Sequence, residues 1–114
     1  VPMSQTDKYG IIEGTLVENS HNIYQVKNMV EKPSPKEAKS NMAIIGRYIL
    51  TPDIFNILET INADKNGEIQ ITDALNIQAQ KGKVVAYKFN GKRFDCGSVK
   101  GYLEANNYFA KHLK

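Results

Sequence analysis

The chain has 114 residues, 41% of them hydrophobic and 24% charged, with a formal net charge of +3. That length suits one compact domain, 1–114, and is too short for two. The mild, scattered charge argues against a nucleic-acid stripe, and no apolar run approaches the roughly 18 residues of a membrane helix. The single cysteine, Cys96, cannot close an internal disulfide, which fits a reducing cytoplasmic setting. No basic segment followed by an apolar one opens the chain, so no signal peptide is expected. A start at Val1 in place of Met fits a mature or excised piece.

In chain order, Tyr9–Glu13 reads as a short strand, with Gly14 and Asn19-Ser20 as turn signals. Ile23–Glu31 alternates as a second strand, stopped by Lys32-Pro33-Ser34-Pro35, because proline removes a donor and restricts the residue before it. Lys36–Lys39 has room for one helical turn. The near-continuous apolar run Met42–Leu50 predicts a strand covered on both faces. Thr51-Pro52-Asp53 is a helix start, with Thr51 as N-cap, and Ile54, Phe55, Ile57, Leu58 and Ile61 form its apolar stripe. Asn62–Gly67 is a polar loop. Thr72 and Asp73 read as the capped start of a second helix that Gly82 would end. Val84–Phe89 alternates as a strand, Asn90-Gly91 signals a hairpin, and Lys92-Arg93-Phe94 would return as its partner. From Ser98 onward a C-terminal amphipathic helix is expected. The fold class is α/β, without the clean alternation of a whole doubly wound domain.

Two segments could carry chemistry. Glu31-Lys32-Pro33 ends a strand, where α/β sheets meet ligands. The carboxylate of Glu31 can accept from sugar hydroxyls, and the ammonium of Lys32 can meet a phosphate as a point charge. The same residues also read as an ordinary exposed pair before a turn. In Phe94-Asp95-Cys96-Gly97-Ser98, Asp95 can ligate Mg²⁺, which takes one or two carboxylates plus substrate phosphates. Asp95 equally suits a turn or cap before the last helix. Cys96 reads as a small packed thiol, since neither His21 nor His112 has a partner motif.

Five segments occur together and in order: Tyr9-Gly10-Ile11-Ile12, Val30-Glu31-Lys32-Pro33, Ser40–Tyr48, Gly67–Ala74 and Phe94-Asp95-Cys96-Gly97. In this set the chain resembles the C-terminal half of the bacterial UTP–glucose-1-phosphate uridylyltransferases, from about Lys8 to His112. The resemblance implies a Rossmann-like nucleotidyltransferase fold, here a C-terminal fragment with a mixed sheet, flanking helices and a hairpin. It implies an enzyme that joins UTP and glucose 1-phosphate into UDP-glucose and releases pyrophosphate. By position it also implies roles. The backbone of Gly10 would meet a sugar hydroxyl, Glu31 would bind sugar hydroxyls, and Lys32 would bind the sugar phosphate. The backbone near Ile44 would border the sugar, and Asp95 would be one of two aspartates holding Mg²⁺. The family's glycine-rich segment, base-reading residues and other metal aspartate have no counterpart here, so an N-terminal nucleotide half is expected elsewhere. An isolated chain is then expected to be inactive, with apolar faces that favour self-association or a homo-oligomer. A sister thymidylyltransferase using dTTP, and a non-catalytic assembly or regulatory module of the same fold, remain the alternatives.

Overall fold

The computed structural model describes residues 1–113 and is framed by two paired strands, β1 (Gly10–Leu16) and β2 (Ile23–Glu31). A 3-10 helix at Met3–Lys8, which the residue pattern did not announce, leads into β1. The bounds of β2 are those its alternation predicts. Residues 17–22 reverse the chain between them. There Ser20 Oγ accepts from the amides of Asn22 and Ile23, at 3.2 and 2.9 Å, and Asn19 takes the left-handed conformation at φ 62°.

The β1–β2 ladder is antiparallel and interrupted once. Glu13 pairs with Asn28 and Gly14 with Val26, so Lys27 has no opposite residue. This is a β-bulge. Gly14 therefore lies inside β1 and not in the turn expected of it. A Cβ at Gly14 would sit 2.5 Å from the carbonyl oxygen of Gln25, closer than any side chain tolerates. The bulge also resets the alternation of faces. Val26 and Met29 are an odd number of residues apart, yet both are buried in the same core cluster. Glu31, two residues beyond Met29, follows it onto that face.

Two helices cover the face. In α1 (Ile54–Thr60), Ile54 is fully buried. In α2 (Ile71–Gln80), Ala74, Leu75 and Ala79 pack with Ile12, Val26 and Met29. The amide of Met29 donates to Asn76 Oδ1 of α2 at 2.9 Å, tying helix to strand. At the end of α2, Gly82 has φ 73°, its amide reaches Ala79 O at 2.9 Å, and the Lys83 amide reaches Gln78 O at 3.1 Å. This pair of bonds is the Schellman arrangement that Gly82 promises. The last helix, α3 (Val99–His112), starts at Ser98, whose side chain accepts from the Gly101 amide.

Four expectations fail. Met42–Leu50 is not a strand: only Ala43 bridges to Ile11, and Gly46, at φ 80°, turns the chain out of extended geometry. Ile49 is completely exposed, so the apolar run reflects uncovered surface and not a doubly covered strand. The hairpin at Asn90-Gly91 does not form. Instead β3 (Val85–Tyr87) pairs antiparallel with β2, and Phe94 turns to α3, with ring centroids 5.2 Å from Tyr108. All sheet pairings among the described residues are antiparallel, where a mixed sheet was expected. Thr51 is not an N-cap: its hydroxyl bonds the Asp53 carboxylate, and Pro52-Asp53 form a turn ahead of α1.

The bulge yields a prediction. Gly14→Ala forces the Gln25 backbone aside, so it should destabilise the protein by about 1–3 kcal/mol, measured by urea unfolding. An unchanged midpoint would mean that the bulge does not need its glycine.

Candidate functional site

Gly10 and Glu31 are opposite one another at the end of the β1–β2 ladder. A Cβ on Gly10 would lie 3.0 Å from Glu31 Oε2, 3.0 Å from Ile44 Cδ1 and 3.6 Å from Thr72 Oγ1. The missing side chain lets Glu31, Ile44 and Thr72 close in on the buried Gly10 backbone. Ile44 is held there by its amide, which donates to Gly10 O at 2.8 Å. The run before it is fixed along β1 in the same way: the Ile12 amide donates to Met42 O at 3.1 Å, and Ser40 Oγ donates to Ile12 O. The structure therefore brings Gly10, Glu31 and Ile44 together, although they come from three separate segments.

Thr72 was expected to cap α2. It is instead the third residue of that stretch counting from Gln70, which occupies the N-cap position without a capping side-chain bond. Buried at 4% exposure, Thr72 donates through Oγ1 to Glu31 Oε2 at 2.8 Å. The bulge places Glu31 on the face that α2 covers, so this bond follows from the strand register. Tyr48 is also close: burial first, and then the negative charge of Glu31, push its hydroxyl above the ordinary tyrosine range.

Lys32 leaves the strand in the left-handed region, at φ 49°, and its amide donates to Tyr9 O at 3.0 Å. A non-glycine residue there costs roughly 1–3 kcal/mol, and one hydrogen bond returns about 1 kcal/mol. The surrounding structure must hold the rest. The next residue, Pro33, is buried, and its carbonyl accepts from the fully buried Thr6 hydroxyl at 3.4 Å. The result is an exposed lysine turned out of the pleat directly after the Glu31 carboxylate.

Asp95 is an exposed carboxylate with both oxygens engaged. Oδ1 accepts from the Gly97 amide at 3.0 Å and Oδ2 from the Tyr9 hydroxyl at 2.9 Å. Arg93 Nη2 lies 4.0 Å from Oδ2. The Gly97 amide, then the Tyr9 hydroxyl, hold the carboxyl below its usual range, so it is ionised at neutral pH. Gly101 lets the first turn of α3 press against this loop, since a Cβ there would lie 1.8 Å from the Asp95 carbonyl oxygen. The residue pattern did not announce these roles of Tyr9, Thr72 and Gly101: the partners of Tyr9 and Thr72 are distant in sequence, and Gly101 acts through its close approach to the Asp95 carbonyl.

No group of three or more His, Cys, Asp and Glu side chains gathers around a metal position among the described residues. Asp95 fits a divalent cation as one oxygen donor with spare lone pairs, the share Mg²⁺ takes when phosphates supply the others. Cys96 is exposed and not the packed thiol expected, and His112 is occupied with Tyr108 of its own helix. A cleft of about 310 Å³ lies elsewhere, lined by Ile12, Tyr24, Met42, Ile45, Ala86, Phe89 and Arg93 among others. None of Gly10, Glu31, Lys32, Ile44 or Asp95 lines it; Arg93 joins it to Asp95. No helix among the described residues is long and apolar enough to cross a membrane.

Comparison with known proteins shows the family. A UTP–glucose-1-phosphate uridylyltransferase of Pseudomonas aeruginosa is 59% identical over 113 residues, which cover 99% of this chain and 40% of the relative. The Bacillus subtilis enzyme of the same name is 46% identical over 114 residues, 38% of its length. A solved UDP-glucose pyrophosphorylase complexed with UDP-glucose superposes with a TM-score of 0.90 at 52% identity, covering 99% of this chain and 42% of that one. The chain thus spans about 40% of the length of the relatives it matches. These figures give the extent of the overlap; the C-terminal placing expected above is not among them. The family model described as nucleotidyl transferase matches residues 1–112, and the chain belongs to the nucleotidyl transferase family.

Proposed function

We propose that this chain is the sugar-phosphate-binding part of a UTP–glucose-1-phosphate uridylyltransferase. The observation that carries the reading is the convergence of Gly10, Glu31 and Ile44 with Lys32 in the adjoining turn. A glucose ring placed against this end of the β1–β2 ladder would meet a carboxylate acceptor at Glu31 and would border the backbone of Gly10 and Ile44. Its 1-phosphate then meets the Lys32 ammonium, which offsets the charge of one anionic substrate as it nears another. The reaction forms a bond from a phosphate oxygen of glucose 1-phosphate to the α-phosphorus of UTP and breaks the bond to pyrophosphate. Positioning and charge neutralisation suffice for such a transfer, and no protein nucleophile is required. Asp95 would hold Mg²⁺, which when bound supplies charge neutralisation on the phosphates. The thiol-only cysteine chemistry and the metabolite substrates suit a cytoplasmic enzyme.

The rest of the parent would bring the nucleotide site. Purified chain given UTP, glucose 1-phosphate and Mg²⁺ should therefore release no pyrophosphate at enzyme-like rates, and such release would overturn the division of labour. In the full-length parent, Glu31→Gln should raise the KM for glucose 1-phosphate about tenfold or more, the loss of roughly one charge-assisted hydrogen bond. The KM for UTP should stay within about twofold; an equal rise in both would contradict the assignment of Glu31 to the sugar.

We also propose that the chain by itself self-associates. Ile49, Leu50, Val85 and Tyr87 are exposed, and so are Val99, Tyr102, Leu103 and Phe109 of α3. Contiguous apolar surface of this kind favours contact with another protein surface. Sedimentation should show a weight-average mass that rises with concentration, and a constant monomer mass would exclude self-association.

A further inference from the structure

Tyr9 stands one residue before β1 and touches both sides of the proposed site. Its carbonyl accepts the amide of Lys32 at 3.0 Å, and its hydroxyl donates to Asp95 Oδ2 at 2.9 Å. The Arg93 guanidinium lies over its ring, 4.7 Å from the centroid.

The two donors to Asp95 do different work. The Gly97 amide is two residues away in the same loop, so it fixes the carboxylate only relative to that loop. The Tyr9 hydroxyl comes from 86 residues away, beside the strand that carries Gly10 and opposite the one that carries Glu31. Among the described residues it is the side-chain hydrogen bond that ties the Asp95 carboxylate to the sheet. Each carboxylate oxygen keeps lone pairs for a cation after accepting one hydrogen bond. Outer partners of this kind orient a ligand, and their loss typically weakens metal binding 10- to 100-fold.

We infer that Tyr9 is a positioning residue that sets the Asp95 carboxylate in register with the Lys32 turn, so that a divalent cation on Asp95 lies at a fixed place relative to the sugar phosphate. The inference rests on reading Asp95 as a metal carboxylate. Tyr9 need not touch substrate or cation: its backbone shapes one group and its hydroxyl aims the other.

The test uses the full-length parent with saturating UDP-glucose and follows Mn²⁺ binding by loss of the free-ion paramagnetic resonance signal. Tyr9→Phe keeps the ring under Arg93 and removes only the hydroxyl. It should raise the Mn²⁺ dissociation constant about tenfold, while the KM for glucose 1-phosphate at saturating metal stays within about twofold and the melting temperature is unchanged. Asp95→Asn should weaken Mn²⁺ binding further. If Asp95→Asn weakens binding and Tyr9→Phe leaves it within about twofold of wild type, the role of Tyr9 is overturned and the metal reading stands. If Asp95→Asn has no effect, the metal reading falls and the inference with it. A Tyr9→Phe protein that melts lower and loses Mn²⁺ and sugar-phosphate affinity alike would mark a merely structural tyrosine and overturn the proposal.

Discussion

The single unpaired residue of the β1–β2 ladder, Lys27 opposite the Glu13–Gly14 step, decides which way the end of β2 faces. In an uninterrupted strand, Glu31 would lie on the face opposite Val26, because side chains alternate with a period of two. With the bulge, Val26 and Met29 both enter the core, and Glu31 follows Met29 toward α2. The bulge is possible because Gly14 has no Cβ to strike the Gln25 carbonyl. Everything at the proposed sugar site depends on that step: Thr72 can reach the Glu31 carboxylate, and Gly10 can sit across from it.

From there the site is built by contacts that are far apart in sequence. Thr72 orients one oxygen of Glu31 from α2, and the neighbouring Tyr48 feels its charge. Lys32 is turned out of the strand and held by Tyr9, and Tyr9 also holds Asp95. The loop of Asp95 is in turn pressed against α3 through Gly101. The left-handed Lys32 follows directly on the oriented Glu31 carboxylate. This order suits a site that must present one negative and one positive group in fixed order to a sugar phosphate.

Several elements are legible in the sequence because their physics is local, although Thr51, bonded to Asp53 two residues on, is a local exception. The alternation of Ile23–Glu31, the helix expected from Ser98 onward and the Gly82 end of α2 each depend on neighbours within a few residues. The proposed site residues Gly10, Glu31 and Ile44 stand out through family motifs, and they lie close together in the fold. The other failures share one cause. Met42–Leu50 has the composition of a buried strand but finds only the outer edge of β1, and Gly46 then turns it away. Asn90-Gly91 favours a hairpin locally, but Phe94 gains more from the rings of Tyr108 and Phe109 on α3. Thr72 looks like a cap because Thr before an apolar run commonly is one; its partner, Glu31, lies 41 residues away. Tyr9 opens one of the family segments, but no role attaches to it there, and its two partners appear only once the chain is folded.

The chemistry-bearing residues and the cleft of about 310 Å³ do not coincide, so the two make rival claims for a sugar phosphate. A crystal structure of the full-length parent with glucose 1-phosphate separates them most directly. The account predicts the Glu31 carboxylate within about 3.2 Å of sugar hydroxyls, and the Lys32 ammonium at the same distance from the phosphate. A sugar bound in the cleft between Tyr24, Met42 and Phe89, out of reach of both residues, would contradict it.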